Sequence, residues 1–376
     1  MDLFGGLIGY ILPFVLVLSV LVFVHELGHY WVARRCGVKV EAFSIGFGPE
    51  IFGFNDRAGT RWKFSVLPLG GYVRMFGDGD ATSSRSDGRV FTEGERKISF
   101  QHQSVGKRAA IVFAGPAANY LFAIVVLAGV FMVYGQPYTP ADVGTVQPGS
   151  AAEAAGIKPG DLIVEMDGQR IDRFEEIQNI VRLSPGRSLP VVVERDGQRV
   201  ALEATPTLNN VQDRFGHSYP VGMLGIGRTG MEFRHLDPLS ALGAAVGETY
   251  TITVGTLQAV GQMIAGSRGT EELGGPLRIA QMSGEVAQTG LISLVWFTAM
   301  LSINLGMINL FPVPMLDGGH LVYYAAEALR GRPLGERAQE YGFRIGLALV
   351  LTLMVFATWN DLVHLRVVDF FRDLIS

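Results

Sequence analysis

Two histidines and a glutamate stand together in the segment "VFVHELGHYWVARR", which covers residues 22–35. His25 and His29 are four residues apart, so on a helix both imidazoles project from one face. Glu26 follows His25 and lies about 100° further around the helix. The spacing is that of H-E-x-x-H, two zinc ligands with a glutamate base between them. Zinc lowers the pKa of a water molecule to about 7, and a carboxylate can take its proton as the water attacks a carbonyl.

The position of these residues in the chain strengthens this interpretation. They follow the apolar run at residues 7–24 and precede the basic pair Arg34 and Arg35. A lone H-E-x-x-H motif arises by chance in about one chain in a hundred. On a soluble helix, the simpler interpretation would be a surface pair with a salt bridge. Ionisable groups inside a membrane helix are costly and are functional candidates by default. We therefore predict a metal site in the cytoplasmic half of the membrane.

A catalytic zinc usually takes three protein ligands and keeps one position for water. The chain offers a third ligand after the apolar run at 291–311, where it reads "NLFPVPMLDGGHL". Pro312 and Pro314 break the helix before Asp317, so irregular backbone can line a polar cavity there. Two neutral histidines, one aspartate and Glu26 balance the charge of Zn²⁺, which lowers the cost of burying them.

The composition indicates a membrane protein that carries a soluble part. The chain has 376 residues, of which 48% are hydrophobic, with a mean hydropathy of +0.29. Its net charge of −4 and the lack of a basic block argue against a nucleic-acid partner. The single cysteine, Cys36, excludes an intrachain disulfide framework and a Cys-rich zinc module.

The fold class predicted is a multi-pass α-helical membrane protein with four transmembrane helices. The spans are predicted at residues 7–24, 109–134, 291–311 and 342–359, whereas the polar segment 240–266 suits a helix in the interface. Residues 34–108 contain 13 basic and 8 acidic residues, and residues 136–239 contain 10 and 14. The first segment is therefore predicted to be cytoplasmic and the second outside. Four crossings bring Asp317 to the face where the histidines lie.

Two inserted parts interrupt the helices. The N-terminal membrane core, 1–134, contains a cytoplasmic, β-rich, membrane-associated loop at 36–108, and residues 135–206 form an extracytoplasmic α+β domain. Residues 207–290 hold a connecting strand and the interfacial helix, and 291–376 form the C-terminal membrane core. In the α+β domain, Asp167-Gly168 and Asp196-Gly197 predict tight hairpin turns, and the apolar period of residues 173–183 predicts a helix.

The α+β segment resembles a PDZ domain of the circularly permuted bacterial type. The resemblance rests on "GSAAEAAGIKPGDLIVEMDGQRI" and the helix that follows. Such domains bind extended peptides or protein C-termini by adding a strand to a sheet edge. A packing domain without a ligand is the competing interpretation.

The whole chain resembles the site-2 protease family of intramembrane zinc metalloproteases, and within it the bacterial regulators of sigma-E proteolysis. The residues concerned are "HELGH", "GFGP", "GGYV", "GPAANYLFA" and "NLGMINLFPVPMLDGGHL". The resemblance implies Zn²⁺ as cofactor, His25, His29 and Asp317 as its ligands and Glu26 as the base. The look-alike carries two tandem PDZ domains, whereas this chain has room for one.

The resemblance also assigns Asn309, Pro312 and Pro314 to the substrate passage. Helix breaking by the prolines and helix packing by Asn309 stay open as competing roles. The substrate implied is a single-pass membrane protein of the anti-sigma factor type, cut in a bacterial inner membrane with the PDZ domain on the periplasmic side. The strand-like segments "FSIGFGP" and "GGYVRMFG" could pair with an unwound substrate.

Two other classes compete with the protease. One is a membrane scaffold whose PDZ domain recruits partners and whose metal site is structural. The other is a metal transporter, which would place polar residues at several depths, whereas this chain has one cluster. The glutamate favours the protease because a closed structural site has no use for a base. Glu26→Gln would leave a scaffold intact and inactivate an enzyme.

Overall fold

The computed structural model of the chain describes residues 3–78, 91–212, 218–228, 230, 232–266 and 274–364. They form two compact units, of which one comprises the described parts of Met1–Gly129 and Leu242–Ser376 and the other is Val130–Ala241. All predicted metal ligands belong to the first unit. The predicted domain division at residues 134, 206 and 290 uses other boundaries and stays a prediction.

The described chain contains ten helices and twelve strands. The helices are α1 (Leu3–Arg35), α2 (Glu93–Ile98), α3 (Val105–Val133), α4 (Ala151–Ala154), α5 (Phe174–Arg182), α6 (Pro238–Ile264), α7 (Pro276–Thr289), α8 (Leu291–Asn309), α9 (Asp317–Arg330) and α10 (Glu336–His364). The strands are β1 (Val40–Asn55), β2 (Arg61–Met75), β3 (Gln136–Tyr138), β4 (Thr145–Val146), β5 (Leu162–Met166), β6 (Gln169–Arg170), β7 (Leu189–Arg195), β8 (Gln198–Ala204), β9 (Thr207–Gln212), β10 (Ser218–Met223), β11 (Ile226–Gly227) and β12 (Glu232–Arg234).

Four of the described helices are long and apolar enough to cross a membrane. The candidate spans are Gly9–Arg35 in α1, Val105–Val133 in α3, Leu291–Asn309 in α8 and Arg337–Val363 in α10. This confirms the number of spans predicted, at the same places in the chain. The side of the membrane on which each end lies stays a prediction.

Helix α6 has 27 residues and is not one of these four. Its hydroxyl groups nevertheless bond two membrane helices: Thr253 donates to the Tyr120 hydroxyl of α3 at 3.4 Å, and Thr256 donates to Asn304 Oδ1 of α8 at 3.3 Å. The helix therefore lies alongside α3 and α8 in the first unit. Its predicted position in the membrane interface stays a prediction.

Strands β1 and β2 form an antiparallel hairpin after α1 that folds back on itself, because residues 42–45 of β1 pair with both residues 71–74 and residues 61–64 of β2. The segment predicted to be β-rich is therefore built of strands, and its position on the cytoplasmic side stays a prediction. The hairpin exposes apolar side chains in the second half of β1, where Ile51 is 71% and Phe52 is 60% exposed. Its base packs on α1 and α3, in a buried cluster of Ala33, Val38, Val40, Met75, Phe100, Ile111 and Val112.

Asp56, in the turn of this hairpin, joins the hairpin to α1. Its carboxylate accepts hydrogen bonds from the Tyr30 hydroxyl at 2.8 Å and from the Trp62 indole at 3.1 Å. It also accepts from the backbone amides of Ala58 and Thr60. Since Tyr30 follows His29, this contact ties the hairpin beside the predicted metal site.

The second unit is an α+β structure around a four-stranded antiparallel sheet in the order β6-β5-β7-β8. Helix α5 buries Phe174, Ile177 and Val181 in the core, as the apolar period predicted. The two Asp-Gly turns are also confirmed, because Asp167 and Asp196 both have positive φ, of 53° and 52°. Strands β9 and β10 form a separate antiparallel hairpin.

Candidate metal centre

The last turns of α1 hold His25 and His29, which are each 9% exposed. The i, i+4 spacing places the two rings on one face, with their Nε2 atoms 3.2 Å apart. Asp317, the first residue of α9, brings its Oδ2 to 3.1 Å from His25 Nε2 and 3.5 Å from His29 Nε2. The three side chains thus meet although Asp317 is far away in the sequence.

The donor set fits a zinc ion. One ligand atom from each of the three residues lies within 4.8 Å of the others. Asp317 Oδ2 is buried and, despite its short distance to His25, has no hydrogen bond of acceptable geometry among the described residues. Two imidazole nitrogens and one carboxylate oxygen are common ligands of catalytic zinc. A cation at this point would give the buried oxygen its missing partner.

The turn between α8 and α9 aims Asp317 at the histidines. Met315 adopts a positive φ of 92° in this turn. Gly318 and Gly319 are buried, and a Cβ at either position would collide with backbone carbonyl groups of the turn. The two glycines after Asp317 therefore allow α9 to start directly against the end of α8.

Helix α3 supports the two histidines from behind. His29 Nδ1 lies 2.9 Å from the carbonyl oxygen of Ile111, and His25 Nδ1 lies 3.1 Å from the Asn119 side-chain amide. A Cβ at Gly115 would collide with both imidazole rings. Sequence reasoning gave none of these α3 residues a role, although "GPAAN" joins small residues to an asparagine inside an apolar helix.

Glu26 is half-buried between α1 and the β-hairpin. Its carboxylate lies beside the backbone N–H of Val73 in β2. A Cβ at Gly71 would lie 3.3 Å from Glu26 Cγ and 2.6 Å from the Ser44 carbonyl oxygen. Strand β2 therefore runs directly over the glutamate, and only a residue without a side chain fits at Gly71.

The structure places the three predicted substrate residues around the α8–α9 turn. Asn309 is the last residue of α8 and is partly buried, and Pro312 is exposed. Pro314 packs against α10, where a Cβ at Gly346 would collide with its backbone. None of the three is among the metal-ligating groups, and their role in a substrate passage stays a prediction.

Comparison with known proteins places this geometry in a family. Residues 13–353 match the family model described as Peptidase family M50. The chain belongs to peptidase family M50. The M50 match confirms the predicted resemblance to site-2 proteases. Together with four apolar helices, it makes the chain a multi-pass membrane protein and a peptidase.

Relatives match over almost their whole length. The Agrobacterium fabrum protein named "Putative zinc metalloprotease Atu1380" is 48% identical over 365 residues, covering 95% of this chain and 97% of the relative. "Metalloprotease MmpA" of Caulobacter vibrioides is 40% identical over 385 residues, covering 96% of this chain and 97% of the relative.

Among solved structures, the PDZ domain of the SdrC-like protein from Listeria innocua is similar, with 20% identity and a TM-score of 0.20. The match covers 25% of this chain and 99% of that chain. A TM-score of this size carries no argument about the second unit, whose identification as a PDZ domain stays a prediction.

Proposed function

We propose that this M50 peptidase is an intramembrane zinc metalloprotease that cleaves single-pass membrane proteins within or near their transmembrane segment. The observation that carries the proposal is the convergence of His25, His29 and Asp317 beside Glu26. These groups lie on or next to α1 and α8, two of the helices apolar enough to cross a membrane. Chemistry there would act on a peptide bond inside the membrane.

In this proposal His25, His29 and Asp317 hold the zinc, the metal that the names of the relatives also give. Bound zinc would supply a Lewis acid that polarises the scissile carbonyl and makes a water molecule more acidic. Glu26 accepts the proton of the attacking water and passes it to the leaving amide nitrogen. The backbone of β2 at Gly71 and Val73 lies against Glu26 and limits where its carboxylate can point. Asp317 and Glu26 together offset the two charges of the ion.

The substrate must be unwound before it can be cut. A transmembrane helix hides its carbonyl groups in internal hydrogen bonds, so the scissile bond becomes accessible only in a non-helical stretch. Asn309, Pro312 and Pro314 border the turn that delivers Asp317, and we assign them to the passage along which that stretch lies. An edge of the β1–β2 hairpin would receive it as an added strand.

The biological setting is the one that the resemblance to bacterial site-2 proteases implies. The substrate class is an anti-sigma factor type of membrane protein, trimmed outside by another protease before this one acts. The protein lies in a bacterial inner membrane, with the second unit, as a PDZ domain, on the periplasmic side and the metal site towards the cytoplasm. A PDZ domain there would bind peptide C-termini and stop substrates that still carry a bulky outside domain.

The test compares full-length protein with its Glu26→Gln variant in lipid nanodiscs. Substrates are single-pass proteins labelled on both sides of the membrane, with and without a folded outside domain, and the cut is located by mass spectrometry. We expect cleavage only by the wild type and only of the trimmed substrate, and equal zinc content in both proteins. Cleavage outside the membrane segment, or an active Glu26→Gln variant, would overturn the proposal.

A further inference from the structure

Asn119 is a fully buried polar residue of α3 with 0% exposure. Its side-chain Nδ2 lies 3.1 Å from His25 Nδ1, and its Oδ1 is buried without a hydrogen-bond partner among the described residues. An unpaired buried carbonyl oxygen is destabilising, because it has lost its hydrogen bonds to water. The amide therefore has one end against a histidine and the other end unsatisfied.

The other predicted ligand, His29, shows which hydrogen bond at Nδ1 suits a metal-binding histidine. His29 Nδ1 faces the Ile111 carbonyl oxygen at 2.9 Å, and a carbonyl only accepts, so Nδ1 carries the proton. His29 Nε2 then carries a lone pair, 3.5 Å from Asp317 Oδ2 and 3.2 Å from His25 Nε2. Histidines that bind a metal almost always donate their second ring N–H to such an acceptor, which fixes the tautomer.

His25 needs the same arrangement if it is to bind through Nε2. A donor at its Nδ1 would place the ring proton on Nε2, where it would block a metal. The two ends of an amide have the same shape and exchange by a half-turn about one bond. With Oδ1 turned to His25, the oxygen accepts from Nδ1–H and Nε2 is freed for a metal, while Nδ2 takes the position that has no partner among the described residues.

We propose that Asn119 is a positioning residue for the metal centre, whose Oδ1 accepts from His25 Nδ1–H and so sets the tautomer that binds zinc. The inference rests on the proposed function, because it takes His25 as a ligand through Nε2. The fold holds the amide at this place from two sides. Asn119 belongs to α3, and its backbone carbonyl accepts a hydrogen bond from Ser302 Oγ of α8 at 2.9 Å.

Two other roles for Asn119 make different demands. If it only packs between helices, an apolar side chain of the same size should replace it. If it instead donates an N–H to the substrate carbonyl, metal binding should not depend on it, and an acceptor-only side chain should fail in catalysis alone. Asp offers acceptors without donors and Leu offers neither, so the two substitutions separate the three roles.

The experiment measures the affinity of the full-length, metal-stripped protein for Co²⁺ and Zn²⁺ by chelator competition, with the visible spectrum of Co²⁺ as a second readout. The variants are Asn119→Leu, Asn119→Ala and Asn119→Asp. The matched control is Asn304→Ala, which removes a membrane-helix asparagine that bonds Thr256. His25→Ala reports on the ligand set itself. Melting temperatures of the metal-free proteins identify variants that do not fold.

We expect Asn119→Leu and Asn119→Ala to weaken metal binding by about 10- to 100-fold and to change the Co²⁺ spectrum. Asn119→Asp should stay within a few-fold of wild type, and Asn304→Ala should be unchanged. Wild-type affinity in the Leu or Ala variant, with loss in His25→Ala, would overturn the role of Asn119 and leave the proposed function intact. An Asp variant that folds and binds metal as weakly as the Leu variant would also overturn it. Unchanged affinity in His25→Ala would overturn the ligand set.

Discussion

Arg108 of α3 and Glu327 of α9 form an ion pair, with Nη2 and Oε1 2.6 Å apart and both side chains about 15% exposed. The guanidinium also lies 4.9 Å from the centre of the Tyr324 ring. Helix α3 supports the two histidines, and α9 begins with Asp317. The pair therefore ties together the elements that hold the two halves of the metal site.

Removing one partner of this pair should destabilise the protein, because the other charge would stay largely buried. We expect Glu327→Ala to cost about 3 kcal/mol and to lower zinc content. Exchanging the charges, with Arg108→Glu and Glu327→Arg together, should recover part of the loss. The control is Arg170→Ala, whose pair with Asp172 lies outside the candidate spans, is 87% and 67% exposed and should contribute about 0.5 kcal/mol or less. Unfolding in detergent measures the loss of stability in each variant. Equal losses in Glu327→Ala and in the control would contradict the argument from burial.

Gly115→Ala should impair the metal site directly. The added methyl group would collide with both imidazole rings, and overpacking of this kind costs about 1–3 kcal/mol. We expect weaker zinc binding and a large loss of cleavage. Gly129→Ala on the same helix is the matched control, because a Cβ there meets nothing within 4 Å. If both variants bind zinc equally, the close contact between α3 and the histidines is not required.

Zinc removal should destabilise the wild type through linkage, because an ion bound only by the folded protein adds to its stability. With free zinc at 100 times the dissociation constant, this contribution is about 2.7 kcal/mol. Asp317→Ala should lose most of it, so a chelator should lower the melting temperature of the wild type but not of this variant. A chelator effect of equal size in both would show that Asp317 is not a ligand.

Asp361 of α10 should stabilise the start of α7. It is 1% exposed and accepts hydrogen bonds from the backbone amides of Gly275, Leu277 and Arg278. Asp361→Ala leaves these donors unpaired, so we expect a loss of about 1–3 kcal/mol. The exposed carboxylate of Asp237 accepts hydrogen bonds from the amides at the start of α6, and Asp237→Ala should cost less, because water can replace the lost hydrogen bonds. Thermal unfolding of both variants measures the difference.

The contact between Asp56 and α1 should depend on pH. Burial opposes ionisation of Asp56, but hydrogen bonds from Trp62, Thr60 and Tyr30 outweigh it and lower the pKa from 3.8 to about 2. The contribution to stability is therefore present above the ordinary pKa and is lost as the pH falls towards 2. Asp56→Asn should be less stable than wild type at neutral pH, and the difference should shrink below pH about 4.

The control for this titration is Asp172→Asn, because Asp172 is 67% exposed in its pair with Arg170. Its stability should match the wild type across the range. A difference between Asp56→Asn and wild type that stayed constant down to pH 2 would mean that the carboxylate charge does not hold the hairpin to α1.

Much of the candidate site could be predicted from local spacing. The i, i+4 histidines share a helix face in any α-helix, so His25 and His29 needed no tertiary information. Asp317 was predicted because a catalytic zinc needs a third ligand and the chain breaks an apolar helix just before a carboxylate. The contacts of Asn119, Gly115 and Val73 with these residues could not be predicted, since they depend on how closely α3 and β2 approach α1.

The sequence by itself determined the chemistry available and the elements that carry it: a histidine pair and a glutamate on an apolar helix, a distant aspartate, and four spans. Periodicity and composition depend on residues that are close together in the chain, so the sequence alone predicts these helices and the spacing of the ligands on them. Only the tertiary structure decided which groups meet. The close approach of α1 and α3 through Gly28 and Gly115, and the tight turn at Gly318 and Gly319, bring Asn119 and Asp317 to the histidines. These distances arise from packing between segments far apart in the chain, which no local pattern records.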